Sequence, residues 1–286
     1  GMQEMSWDEL RRQVAAFTHG LRQLGVAKGD RVVAYMPNIP ETIVAFLTCA
    51  SLGAIWSVCS PDMGSRSVLD RFQQIEPKVL IAVDGYRYGG KNFDRLDVVR
   101  NLRTHLPTVE QVVFLPLLDA TATLDDSMSF ARLLAGSVDI VFEQVEFEHP
   151  LWVVYSSGTT GLPKPIVHGQ GGILLELTKS HNLSTDLGSD DHFFWLSTTG
   201  WVMWNLQMAG LFVGATICLY DGNPGYPDLG VVWRFAEEAR VTVFGSGAAF
   251  YDGCKKAGVK PKKLPKIKSI PGMATPANPI TPKPPT

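Results

Sequence analysis

Ten consecutive residues, Tyr155-Ser156-Ser157-Gly158-Thr159-Thr160-Gly161-Leu162-Pro163-Lys164, gather the groups that grip a phosphate. The hydroxyls of Ser156, Ser157, Thr159 and Thr160 offer donors to phosphate oxygens. Thr159 and Thr160 can equally turn their oxygens to a magnesium ion. Gly158 and Gly161 let the backbone turn tightly and bring its N–H groups close to an anion. Lys164 adds a point charge. The ordinary P-loop spacing, with Lys-Ser/Thr directly after the last glycine and a helix immediately behind it, is not met. The run is therefore a phosphate-gripping loop of another kind. A plain Ser/Gly/Thr linker is the alternative, and the apolar strand in front and the lysine behind both argue against it.

A second segment, Thr199-Gly200-Trp201-Val202-Met203-Trp204, leads from a strand end into a helix, where open α/β sheets hold ligands. Two tryptophans three apart on a helix are also what an ordinary core contains, and both readings stand. Gly245-Ser246-Gly247 follows a strand over 241–244 and is similarly placed. His168 lies four residues beyond Lys164; the other histidines show no metal-ligand spacing. A nucleophile elbow with its triad is missing, which argues against a hydrolase. Cys49, Cys59, Cys218 and Cys254 are scattered without a C-x-x-C pair. That speaks against a zinc site or a disulfide framework and for a reducing, cytoplasmic setting.

These residues need a scaffold, and the sequence describes one. Ser6 precedes an acidic first turn and the apolar stripe Leu10, Val14, Phe17, Leu21 and Leu24, which is the pattern of a capped amphipathic helix. Strands are predicted over 31–36, 54–60, 79–83 and 111–115, with helices over 40–52, 66–74 and 97–105 between them. A polar loop over 118–129 separates the two halves. Strands over 152–155, 193–196, 215–220 and 241–244 follow, with helices after Gly171 and over 203–212 and 231–239. The strands are continuous apolar runs, so both faces are covered, which implies a largely parallel sheet with helices on either side.

Composition sets limits. Hydrophobic residues make up 45% and charged ones 19%, the balance of a globular protein. A net charge of −2 divides into −10 up to Asp252 and +8 beyond it, and the chain as a whole is not built to coat nucleic acid. The uncharged stretches 42–61 and 193–220 are long enough to cross a bilayer. They are broken by Gly53, Pro61, Gly200, Gly210 and Gly214 and lack flanking basic clusters, so no membrane span is expected. The opening residues carry no secretory pattern. From Pro261 on, eight of 26 residues are proline, and an irregular, poorly ordered tail is expected.

The loop resembles the phosphate loop of the adenylate-forming enzymes, which include acyl-CoA synthetases, luciferases and peptide-synthetase adenylation domains. The resemblance is closer to acetoacetyl-CoA synthetases. It extends over MPNIPETIVAFLTCASLGAIWSVCSPDMG (36–64), VLIAVDGYRYGGKNFDR (79–95), VVYSSGTTGLPKPIVHGQGG (153–172), STTGWVMWN (197–205) and GATICLYDGNPGYPD (214–228). Pro165 stands where most such loops have a glycine. The resemblance implies an α/β fold of layered, largely parallel sheets with flanking helices, as in the large N-terminal domain of these enzymes. It divides the chain into a first subdomain over 1–145, a second over 146–260 that holds the loop and an acyl pocket, and the tail over 261–286.

The implied chemistry is ligation in two steps, in which a carboxylate attacks MgATP and coenzyme A then displaces AMP. Acetoacetate or another short acyl acid would be the substrate. Lys164, Thr159 and Thr160 become the catalytic candidates, offsetting charge on departing pyrophosphate. Ser156, Ser157, Gly158, Gly161 and His168 join them as nucleotide-binding candidates; a capping or hydrogen-bonding role for His168 is the alternative. Trp201, Val202, Met203, Trp204, Gly245 and Ser246 would wall the acyl pocket. The family's later acidic Tyr-Gly-x-Thr-Glu stretch, its ribose-binding aspartate and its C-terminal domain with a lysine have no counterpart in these 286 residues. Two expectations follow. The chain is part of a full synthetase, or it is a short relative or interaction module that binds an acyl or phosphate ligand without ligating it. Loss of a neighbouring layer would expose apolar surface and favour self-association.

Overall fold

The structure, a computed structural model, describes residues 2–136, 138–156, 161–259 and, as backbone, 272–273. The first half runs α1 (Trp7–Gln23), β1 (Arg31–Tyr35), α2 (Pro40–Leu52), β2 (Ile55–Cys59), α3 (Ser65–Phe72) with a 3-10 turn Gln73–Ile75, and β3 (Val79–Val83). A hairpin of β4 (Gly85–Tyr88) and β5 (Lys91–Asp94) follows, then α4 (Leu96–His105), β6 (Gln111–Leu115), β7 (Met128–Ser129) and α5 (Phe130–Leu133). The second half runs β8 (Pro150–Ser156), β9 (Lys164–Gly169), α6 (Gln170–Lys179) with a π turn Ser180–Ser184, and β10 (His192–Trp195). After it come α7 (Val202–Met208) with a 3-10 turn Ala209–Val213, β11 (Thr216–Cys218), α8 (Val231–Glu238), β12 (Val243–Gly247), α9 (Ala248–Lys256) and β13 (Gly272–Met273).

Local chemistry explains the boundaries. The Ser6 hydroxyl accepts the Glu9 N–H at 3.1 Å and so satisfies one free donor at the start of α1. Pro40 opens α2, where its missing N–H costs nothing, and Gly53 closes it in the left-handed region at φ 64°.

Among the described residues the strands form two main sheets. The first has the order β7-β6-β3-β1-β2-β8-β9 and is parallel except for the β8–β9 pair; the second, β11-β10-β12-β13, is parallel throughout. Alternate residues of a strand feed opposite cores, as the continuous apolar runs require. Val79, Ile81 and Val83 enter one cluster while Leu80 and Ala82 enter another. In the second sheet Phe194 and Phe244 face one side and Phe193, Trp195 and Val243 the other. This is the layered, largely parallel α/β fold that the sequence predicts. β8 and β9, both beyond residue 145, complete the first sheet.

Several expectations need correction. Residues 164–169, left without an element between the loop and the helix, form β9, and that strand carries Pro165. Proline is tolerated there because β9 is an edge strand, where a missing N–H breaks no central ladder. Gly245 and Ser246 lie inside β12 instead of after it. Gly245 is required by packing, since a Cβ would stand 2.1 Å from the Trp195 ring. The β4–β5 hairpin and α9 were also not predicted. Of the tail 261–286, Gly272–Met273 pair with β12 as β13; its remaining residues lie outside the described ones. No helix of the described residues is long and apolar enough to cross a membrane; the stretch 42–61 holds most of α2 and β2, and 193–220 holds most of β10, then α7, its 3-10 turn and β11.

Candidate active site

β8 runs parallel to β2, so the segment after Ser156 leaves at the carboxyl end of the parallel strands. Ligands of open α/β sheets collect at that end. Ser156 pairs with Lys164 across the β8–β9 hairpin, and the phosphate-loop run therefore joins two antiparallel strands. Ser157, Gly158, Thr159 and Thr160 lie outside the described residues. Ser156, Gly161 and Lys164 are described and exposed.

Both ends of the loop are tied to α3 and the turn after it. The Tyr155 hydroxyl donates to the Arg71 carbonyl at 3.0 Å. Gln74 Nε2 donates to the Pro163 carbonyl at 2.9 Å. The Arg71 guanidinium also stands 5.8 Å from the centre of the Tyr155 ring. Nothing in the sequence signalled Gln74 or Arg71, because the contacts bridge more than 80 positions.

His168, also on β9, faces Trp152 across the hairpin, and the indole Nε1–H donates to its Nδ1 at 2.8 Å. An indole nitrogen can only donate, so Nδ1 is unprotonated and the ring proton sits on Nε2. Burial holds the His168 pKa below the ordinary imidazole value. The facing indole N–H pushes the same way, since protonating Nδ1 would set two donors against each other. The neutral ring stabilises the fold fully above the unfolded value near 6.5, and that contribution is lost as pH falls towards the lower folded value. Nitrogen-15 NMR of the imidazole is expected to give an Nε2–H tautomer and a pKa below that of a free histidine; a pKa at or above 6.5 contradicts the contact.

The acyl-pocket candidates divide. Trp201 and Val202 stand exposed at the start of α7. Met203 packs against the cluster of Phe193 and Trp195. Trp204 is fully buried in the first core, its Nε1–H donating to Asn38 Oδ1 at 2.9 Å and its ring 6.1 Å from that of Phe46. Gly245 backs onto Trp195. Ser246 is buried, and its hydroxyl has no hydrogen-bond partner among the described residues.

A gap of about 10 Å³, room for one water at most, lies between the two motifs. It is lined by Trp56, Val154 and Tyr155 from the first sheet and by Thr199, Trp201 and Asn205 from the segment that enters α7. The Thr199 hydroxyl donates to the Met36 carbonyl at 2.7 Å, at the end of β1, and holds that segment against the first sheet. The loop hairpin and the Trp201 segment thus converge at the carboxyl ends of the strands, although 45 residues of sequence separate Ser156 from Trp201. Among the described residues no three of His, Cys, Asp or Glu converge as a metal site.

Known proteins with this sequence and shape give the arrangement its context. The acetoacetyl-coenzyme A synthetase of Rhizobium meliloti (strain 1021) is 44% identical over 287 residues, which cover 98% of this chain and 44% of that protein. The Xenopus tropicalis acetoacetyl-CoA synthetase is 35% identical over 293 residues, again 44% of its length. Among solved structures, acetoacetyl-CoA synthetase from Streptomyces lividans superposes with a TM-score of 0.93 at 52% identity, over 96% of this chain and 43% of that one. The chain spans less than half the length of each of these relatives. The sequence pattern of the AMP-binding enzymes matches residues 1–284, and the chain belongs to that family.

Proposed function

We propose that the chain forms the phosphate- and acid-binding part of an acetoacetyl-CoA synthetase. The carboxylate of acetoacetate attacks the α-phosphorus of ATP, supplied as its magnesium complex; the bond to pyrophosphate breaks as the new P–O bond forms. The thiol of coenzyme A then displaces AMP from the acyl-adenylate. The observation that carries this reading is convergence: Tyr155 at the loop's entry and Trp201 from the acid-binding segment meet at the carboxyl end of the strands, around a gap that itself holds no more than one water. The names of the relatives favour acetoacetate among short acyl acids.

Each residue has a role that follows from its chemistry. Lys164, exposed at the mouth of the hairpin, offsets the negative charge that builds on departing pyrophosphate. Gly158 and Gly161 let backbone N–H groups approach the phosphates, and Ser156, Ser157, Thr159 and Thr160 add hydroxyl donors. Thr159 and Thr160 are the proposed magnesium contacts, in keeping with an ion that arrives with the nucleotide's phosphates and keeps several oxygen ligands. Trp201, Val202 and Met203 give the methyl end of the acid an apolar wall. His168 stays neutral beside the loop as a positioning residue. A cytoplasmic site of action agrees with four cysteines that are all buried and unbridged.

The test is exchange of labelled pyrophosphate into ATP by a full synthetase that carries this chain, since the chain alone is expected to be incomplete. Exchange that depends on acetoacetate is expected. A folded sample that binds pyrophosphate without exchange would make the chain a binding module.

A further inference from the structure

The segment that enters α7 is fastened to the first sheet where Thr199 donates to the Met36 carbonyl. His181 holds α7 from the side of the second sheet. Its Nε2 stands 3.0 Å from the carbonyl of Leu206. A carbonyl only accepts, so Nε2 carries the ring proton and donates. Leu206 is among the last four residues of α7, whose carbonyls an α-helix leaves without an amide of its own. Trp204 and Gln207 reach out of α7 to Asn38 and to the Cys218 carbonyl, whereas His181 reaches in and grips the backbone of the helix. The imidazole is 1% exposed and meets the Phe193 ring edge-on, with 5.3 Å between centres. Phe193 also lies under the turn after α7, where a Cβ on Gly210 would stand 2.9 Å from its ring. Met203 and Leu206 pack on the same cluster.

A local departure from the α-helix puts His181 there. α6 passes into the π turn Ser180–Ser184, where the Thr185 N–H reaches back five residues to the Ser180 carbonyl at 3.1 Å. Such turns are frequent at functional sites. The Leu187 N–H donates to the His181 carbonyl at 2.9 Å, so backbone and ring are both fixed. Burial holds the His181 pKa below the ordinary imidazole value, and the ring is neutral at pH 7. A polar ring in an apolar layer costs free energy unless it is hydrogen-bonded, and a leucine would fill the same layer without that cost. The bond to Leu206 is what the histidine adds. We propose that His181 is a positioning residue for the substrate acid: its bond to the Leu206 carbonyl sets where α7 stands, and thereby how closely Trp201, Val202 and Met203 approach the acid. The role rests on the reading of those three residues as the acid's wall.

Three variants of a full synthetase that carries this chain test the role. His181→Gln puts an amide donor near the place of Nε2, His181→Asn is one carbon shorter and falls short of Leu206, and His181→Leu has no donor. Hydrogen exchange of the α7 amides needs no turnover. It is expected to quicken about tenfold in the leucine and asparagine variants, the weight of one hydrogen bond, and to stay within about threefold of the parent in the glutamine variant. In acid-dependent pyrophosphate exchange the KM for acetoacetate is expected to rise about tenfold in the same two variants, with the KM for ATP within about twofold, and glutamine restores it. Should the leucine variant not fold, the contrast between asparagine and glutamine decides. Unchanged exchange of the α7 amides in the asparagine and leucine variants overturns the tether. Both KM values raised alike, or no rescue by glutamine, makes His181 an ordinary core residue and overturns its role towards the acid. A parent synthetase without acid-dependent exchange refutes the acid-binding reading instead, and hydrogen exchange still decides the tether.

Discussion

In a full synthetase that carries this chain, Lys164→Ala is expected to lower acetoacetate-dependent pyrophosphate exchange by about 100- to 1000-fold. That range is the effect of removing one donor, worth about 2.7–4 kcal/mol, from a site that stabilises developing negative charge. The argument rests on position. Lys164 opens β9 directly opposite Ser156, at the carboxyl end of β8, and its side chain is exposed. It therefore contributes little to folding, and its loss should leave stability within about 0.5 kcal/mol of the parent, as for most exposed sites. Steady-state exchange and urea unfolding of the same preparation check both halves. A variant that keeps more than a tenth of the parent's rate would take Lys164 out of the phosphate-binding set.

The second large effect concerns the scaffold. Asp84 follows β3 and is buried, and its carboxylate accepts three backbone N–H groups: Leu117 at 2.6 Å and Leu118 at 2.8 Å on Oδ1, and Asp119 at 2.7 Å on Oδ2. It ties the chain leaving β6 to the end of β3. Hydrogen bonds to a charged group contribute about 1.5–3 kcal/mol each, and orphaned donors carry a further desolvation cost. Asp84→Ala should therefore lower stability by about 3–5 kcal/mol, since water can reach part of the exposed 117–119 turn. Asp84→Asn keeps the shape and one carbonyl oxygen, and about half that loss is expected. Urea midpoints at constant slope give the comparison. A loss below about 1 kcal/mol for the alanine variant would show that the turn is held by other contacts.

Much of the fold was legible because the strands of a two-sided sheet are written as unbroken apolar runs. Strands 79–83 and 111–115 and helix 40–52 occur with the predicted bounds. Ser6, Pro40 and Gly53 marked helix ends through chemistry that is local to a few residues. β9 escaped notice because Pro165 and His168 spoil its apolar pattern, and only its place at an edge makes them acceptable. The β4–β5 hairpin has a local signal in Gly89-Gly90, with φ of 59° and 76°, between Tyr-Arg-Tyr and Lys-Asn-Phe.

The candidate site was legible as segments and not as an assembly. The glycine- and hydroxyl-rich run and the Trp201 segment each stood out by composition. Their meeting across one cavity, the Thr199–Met36 tether and the Gln74–Pro163 tie depend on long-range packing that no local pattern encodes. Trp204 illustrates the limit. Its spacing from Trp201 suited either a pocket or a core, and the bond to Asn38, 166 positions away, sets it in the core.

Acid-dependent pyrophosphate exchange by a full synthetase that carries this chain, run in parallel with acetoacetate, with acetate and with no acid, tests the central claim most directly. Exchange above the acid-free background, strongest with acetoacetate, is the predicted result. Exchange that is absent with every acid, in a sample whose unfolding is cooperative, would contradict the claim that this hairpin loop and the Trp201 segment together activate a carboxylate.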